Sequence, residues 1–306
     1  MTARHAWILL PLLSVLPFAT AEAGSSLAAW RSGTWSTWWR SEQAPTRWES
    51  SDPVVTSALR WQPLAQGLEW ASLRMRCGPV PTRLVLVRLD PTRVHLSLEM
   101  ARSASGRPAW TIDDAPDDAL LAMNAGQFVG TMPWGWVVID GVPQLSPGQG
   151  PLASALSVDA TGRTRWTHGG LTPPATGVIS AFQSYPTLLA GEGVVPAELQ
   201  SGAAVSREHR DARLALGQTR DGRWLIVMTR FDGVGELAGN LPLGPTTPEM
   251  AAILGALGAR DAVMLDGGIS AQLLLRGEHG PVLRWPGLRK VPLALIARAR
   301  TETARR

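Results

Sequence analysis

Residues 212–233, ARLALGQTRDGRWLIVMTRFDG, hold two apolar runs on either side of an Asp221-Gly222 pair. Asp-Gly suits a tight turn with positive φ at its centre, so the two runs read as a β-hairpin. The signature recurs along the chain. WGWVVIDGVPQ is a strand running into an Asp-Gly turn, and PLASALSVDATGRTRW is a hairpin turning at Ala160–Gly162. RLVLVRLD and RVHLSLEM, joined by Pro91-Thr92, predict one more hairpin. A single helix is well marked, in TTPEMAAILGALGARD. Thr247 is its expected N-cap, Pro248 its first residue, and Gly258 its stop. Met250, Ile253, Leu254 and Leu257 keep the helical i, i+3, i+4, i+7 stripe. Many strands with few helices predict an α+β fold: a mixed, largely antiparallel sheet core in one main domain.

The 306 residues, 45% of them apolar, are ample for a core. The chain divides on composition. Residues 1–23 have a basic start, a short proline-broken apolar run and small residues at Ala21 and Ala23. They read as a removed signal peptide, with no stable membrane span remaining. Residues 24–62 form a tryptophan-rich arm with no clear period, expected to pack its indoles on the main domain, residues 63–300; residues 301–306 are a tail. The net charge is +4 and Lys290 is the only lysine. No dense basic run with interleaved aromatics appears, so nucleic acid is not an expected partner. Cys77 stands alone, which excludes an internal disulfide and a thiolate metal cluster.

Phosphate-loop, dinucleotide-binding and nucleophile-elbow motifs are missing. His95, His168, His209 and His279 lack metal-ligand spacing, and the aspartates of TIDDAPDDA form no calcium loop. What remains is a set of polar residues at the ends of apolar strands: Asn124, Gln183 with Ser184, Arg213, Arg230 with Asp232, and Asp266 with Ser270. Strand ends of this kind can converge on one cleft, where arginine neutralises an anion with its planar fork and a carboxylate acts as nucleophile or base. In VMLDGGIS, Asp266 ends a buried run and is followed by Gly267 and Gly268. That pattern fits either a close approach of backbone or ligand, or a plain turn. No cofactor is called for; Asp232 and Asp266 are the only pair suggested for a shared divalent metal.

The ordered segments AMNAGQF, PWGWVVIDG, FQSYPTLLAGEG, ARLALGQTRDGRWLIV, TTPEMAAILGALGARDAVMLDGGIS and GLRKVPLALIA resemble the phosphodiester glycosidase family, over roughly residues 66–298. That family includes the lysosomal enzyme that uncovers mannose-6-phosphate, and many bacterial envelope proteins. The resemblance implies a secreted or periplasmic hydrolase of a glycosyl phosphodiester, acting on envelope or exopolysaccharide glycans. It implies catalytic roles for Asp266 and Arg213; Asp232 is added as a catalytic candidate from its place at a strand end. Asn124, Gln183, Ser184, Gly267, Gly268 and Ser270 are implied as substrate-binding, and Arg230 joins them from the strand-end reading. Ala125 and Gln127 replace a glycine and an aromatic usual in the family, and Tyr185 replaces a glycine. The substrate therefore need not be the mammalian one. The alternative is a non-catalytic binder of envelope glycan or anionic polymer that uses the tryptophan arm as its platform.

Overall fold

The computed structural model describes residues 24–170, 176–233, 239–278 and 280–300; the signal-like segment and the tail lie outside them. In chain order the first strands are β1 (Ser26–Arg31), β2 (Thr34–Arg40), β3 (Gln62–Ala65), β4 (Leu68–Cys77), β5 (Val80–Leu89), β6 (Val94–Met100) and β7 (Leu121–Asn124). Next come β8 (Phe128–Val129), β9 (Met132–Pro133), β10 (Val137–Ile139), β11 (Val142–Leu145), β12 (Ser154–Asp159), β13 (Thr164–His168), β14 (Val178–Ser184) and β15 (Thr187–Leu189). The last are β16 (Leu214–Thr219), β17 (Trp224–Phe231), β18 (Ala259–Leu265), β19 (Leu273–Arg276), β20 (Val282–Trp285) and β21 (Leu293–Ala299). The α-helices among the described residues are α1 (Pro53–Ala58), α2 (Ala197–Ser201) and α3 (Thr247–Ala256). None is long and apolar enough to cross a membrane.

A nine-stranded sheet in the order β15-β18-β16-β17-β5-β4-β1-β2, with β3 on β4, is the frame. Its central strands are apolar on both faces because both are covered. Leu225 and Val227 of β17 pack on one side with Met250, Ile253 and Leu254 of α3. Trp224, Ile226 and Met228 pack on the other, against the sheet β20-β19-β7-β21-β6 and part of the sheet β11-β10-β14-β12-β13. All the described pairings in these sheets are antiparallel, as for β16 with both β17 and β18. Strands β17 and β18 therefore run in the same direction and end at the same edge of the frame. The expectation of an α+β fold holds: one main, sheet-rich body with few helices.

Three sequence expectations change in detail. Strands β5 and β6 do not pair. Both sides of β5 are occupied, by β4 and β17, so the chain leaves at Asp90 and delivers β6 to β21 in another sheet. The N-cap of α3 is Thr246, not Thr247, because Glu249 sits three residues after Thr246 and completes a capping box. The tryptophan arm has regular structure. Strands β1 and β2 form a hairpin that extends the large sheet through β4, with Trp30 and Trp35 edge-to-face at 5.2 Å. Trp39 is buried, and Trp38, Trp48 and Trp61 are partly buried against the α3 side of the core, as packing requires. Cys77 is buried, and burial pushes its thiol up to about 12, which leaves it inert.

Candidate active site

Strand β18 delivers Asp266 to the edge where the large sheet meets the sheet containing β7. Backbone contacts fix the place: the Asp266 N–H donates to Gly126 O at 2.9 Å, and Asn124 Nδ2 donates to Asp266 O at 2.8 Å. The other face of the Asn124 amide accepts from Gln272 N at 3.0 Å, and the residue is 1% exposed. Asn124 thus spends both ends of its side chain holding backbone. Gln183 does the same, accepting from Trp136 N and Gly148 N and donating to Gly148 O. Ser184 is fully buried and donates to Met264 O at 2.6 Å. Asn124 and Ser184 thus hold the backbone at the end of β18, and Gln183 holds the chain at Trp136 and Gly148. Gln127, the departure from the family pattern, donates to Leu265 O at 3.1 Å and Tyr185 O at 3.2 Å and so ties the aromatic rim to the end of β18. That rim is Tyr185 and Trp134, edge-to-face at 4.8 Å.

The two glycines after Asp266 are explained by what lies against them. A Cβ on Gly267 would stand 2.4 Å from Ala212 O, and the Gly268 N–H donates to that same carbonyl at 2.7 Å. Gly268 has φ +54°, and a Cβ there would stand 3.1 Å from Asp211 Oδ2. The close approach is therefore made by the backbone and carboxylate of Asp211–Ala212. This brings into the site a residue the sequence reading missed. The signal was available only as an acidic residue two positions before Arg213, at the mouth of an apolar strand.

Asp211 and Asp266 share a neighbourhood. One oxygen of each, Asp211 Oδ1 and Asp266 Oδ2, is closed off from solvent and accepts no hydrogen bond. Burial pushes both carboxyl groups above the ordinary aspartate range, and the charge of Asp211 raises Asp266 further. Several groups oppose this: Arg213, the Ala212 N–H and His209, whose Nε2 lies 3.8 Å from Asp211 Oδ2, at Asp211, and Ser270 and Arg289 at Asp266. Arg213 is itself held. Its Nε donates to Pro245 O at 3.1 Å and one Nη donates to His209 O at 2.6 Å. Its other Nη has no partner among the described residues. Burial lowers the Arg213 pKa, which Asp211 and Glu249 partly restore.

Other expected residues fall elsewhere. Asp232 is ion-paired with Arg74 and Arg83, both at 2.8 Å, at the end of β17, two strands away from β18. These two arginines hold its carboxyl below the ordinary range. Arg230, on β17, lines a groove with Asp232. Neither meets Asp266 in a described contact, and among the described residues no group of three or more acidic, histidine or cysteine side chains is placed to hold a metal. The series Ser154, His168 and Asp261 has the members of a hydrolytic triad, with Ser154 Oγ 2.6 Å from His168 Nδ1 and His168 Nε2 2.8 Å from Asp261. Its serine is 1% exposed and is also bonded to Thr187 at 2.7 Å, so it links the sheets and offers no accessible nucleophile.

A profile of the family described as phosphodiester glycosidase matches residues 117–298, more than half of the chain. The chain belongs to the phosphodiester glycosidase family. A search of curated proteins returned no match. Solved structures share the fold at low identity. One is the catalytic domain of zebrafish N-acetylglucosamine-1-phosphodiester alpha-N-acetylglucosaminidase, auto-inhibited by its pro-peptide. It has 15% identity and a TM-score of 0.57, with 81% of this chain and 91% of that one covered. A Synechocystis protein has 17% identity and a TM-score of 0.52, with 79% of this chain covered and only 64% of the Synechocystis chain spanned. A Burkholderia pseudomallei protein has 17% identity and a TM-score of 0.51, with 74% and 77% covered.

Proposed function

We propose that this protein hydrolyses a sugar-1-phosphodiester at its anomeric C–O bond, outside the cytoplasm, with Asp266 and Asp211 as the working carboxyl groups. The observation that carries the reading is the pair of enclosed, unpartnered oxygens, Asp211 Oδ1 and Asp266 Oδ2, set beside Arg213 and Arg289. Enclosed carboxylates with raised pKa values and cationic neighbours suit acid–base work on an anionic substrate.

In the proposed step the anomeric carbon–oxygen bond breaks and its electron pair leaves on the phosphate, giving a phosphomonoester. A water oxygen bonds to the anomeric carbon, and Asp266 takes the proton that water loses. A phosphoryl leaving group is a weak base, so it needs charge neutralisation more than full protonation. Arg213 supplies the charge through its remaining Nη, and the protonated form of Asp211 supplies a hydrogen bond. Tyr185 and Trp134 form an apolar wall for the sugar. The reading thus comes closer to the usual two-carboxylate plan of glycosidases than a single aspartate would.

Two measurements test this. Purified protein is assayed against sugar-1-phosphodiesters in oxygen-18 water, with and without a chelator. Label in the sugar supports C–O cleavage; label in the phosphate places the break at P–O and refutes the step above. Secretion rests on residues 1–23 and is checked by mass spectrometry of the envelope fraction, with a new N-terminus expected near Gly24.

A further inference from the structure

A groove of about 630 Å3 lies between the large sheet and strand β20. Its floor comes from strands β4, β5 and β17 and its wall from Val282–Pro286. Two features mark it. Trp70 on the floor and Trp285 on the wall are both partly exposed, with ring centroids 6.2 Å apart and planes tilted by 53°. Among the described residues three arginines line it, Arg83, Arg230 and Arg284, with the carboxylate of Asp232, which is already shared by Arg83 and Arg74. Arg284 pairs with Asp113, which lies outside the groove, and Arg230 is paired with no described carboxylate. The described lining is therefore aromatic and rich in arginine.

The groove is joined to the candidate active site by one short segment. Pro286 closes the groove, the Leu288 N–H donates to Ile269 O at 2.7 Å, and the Arg289 charge acts on Asp266. Residues 286–289 thus border the groove at one end and the Asp266 turn at the other.

We propose that this groove is a subsite for an anionic glycan chain, carboxylated or phosphorylated, which continues beyond the diester cleaved at Asp266. The flat faces of Trp70 and Trp285 take the sugar rings, and Arg230 and Arg284 take the acidic groups. This rests on the hydrolase reading above. Single-stranded nucleic acid also combines stacking with charge. The adjoining glycosidase-family site favours the glycan.

The test is calorimetric binding to the Asp266→Asn chain, which keeps hydrolysis out of the readout. Hexagalacturonate, uncharged cellohexaose and hexathymidylate are the probes. Saturable binding of hexagalacturonate is expected, at least tenfold tighter than cellohexaose and weakened by added salt. Trp285→Ala and Arg230→Gln should each weaken it tenfold or more. Arg284→Gln, at a side chain 41% exposed, should weaken it severalfold without touching the core. Equal affinity for cellohexaose, tighter binding of hexathymidylate, no binding of any probe, or unchanged affinity in all three variants overturns the proposal. The readout is binding, so it stands or fails independently of whether a small diester is turned over.

Discussion

Glu249→Gln tests how the site is held in place. Glu249 is the third residue of α3 and is fully buried. Its two oxygens each accept from Arg210 at 2.8 Å; Oε2 also accepts from Thr246 N at 2.9 Å, and Oε1 from the Ser25 hydroxyl. Arg210 donates further to Cys77 O and Gly244 O. It is the residue immediately before Asp211, so this pair anchors the segment that carries Asp211 and Arg213. Glutamine keeps the shape and one acceptor oxygen but removes the charge and adds two donors where only acceptors are wanted. Breaking a buried pair on one side costs about 3–5 kcal/mol. The Arg210 side chain is 23% exposed, which places the loss near the lower end, about 3 kcal/mol. At roughly 2 °C per kcal/mol for a domain of this size, the melting temperature should fall by about 6 °C. Differential scanning calorimetry at pH 7 measures it, and turnover well below the transition should fall too as Asp211 and Arg213 lose their anchor. A melting temperature within about 1 °C of wild type, with full activity, would refute the reasoning. The paired replacement of Arg210 and Glu249 by apolar residues should recover part of the stability, because no lone charge remains.

Asp266→Asn should fold normally and lose turnover by several orders of magnitude while retaining substrate binding; full activity in that variant would remove the central residue of the mechanism. Asp211→Asn should reduce kcat by roughly 10²–10⁴, the range of general acid–base catalysis, and steady-state kinetics separates this from an effect on KM. Both carboxyl groups hold protons more tightly in the folded chain than in the unfolded one. Their contribution to stability is complete below the ordinary aspartate range and is lost as pH rises through their raised folded pKa values. The melting temperature of Asp266→Asn minus that of wild type should therefore grow with pH from the ordinary aspartate range upward; a flat difference counts against burial of the charge. Gly267→Ala should be more damaging than Gly268→Ala, since its Cβ meets a backbone carbonyl at 2.4 Å while that of Gly268 meets a carboxylate at 3.1 Å; thermal melts of the two variants decide.

What the sequence disclosed was local. The hairpins β10–β11, β12–β13 and β16–β17 were legible because their turn residues are adjacent, with Asp140 and Gly141 both at positive φ as an Asp-Gly turn demands. Helix α3 was legible from its stripe and proline. The misplacement of its cap by one residue came from two adjacent threonines, a tie broken by Glu249. Asp266 was marked as a candidate because a strand end, a carboxylate and two glycines lie together. Asp211 was not, because REHRDAR reads as a charged loop and only tertiary packing brings it against Gly268. The parting of β5 from β6 was equally hidden, since whether a strand has a vacant side depends on strands far away in sequence. Asn124, Gln183 and Ser184 were rightly marked as strand-end polar residues, but their expected contact with substrate depended on which way each amide or hydroxyl faced. The structure turns all three toward backbone.

The tryptophan hairpin bears on how the protein can be cut. Strands β1 to β5 all precede residue 117, where the family match begins, and together they make five of the nine strands of the frame. A fragment trimmed to residues 117–298 would leave β17 as a bare edge, with eight residues, WLIVMTRF, offering unpaired backbone and apolar side chains on both faces. Such an edge recruits other chains. An expression fragment drawn to the family boundaries should aggregate, whereas one beginning at residue 24 keeps β17 covered by β5 and the strands beyond it.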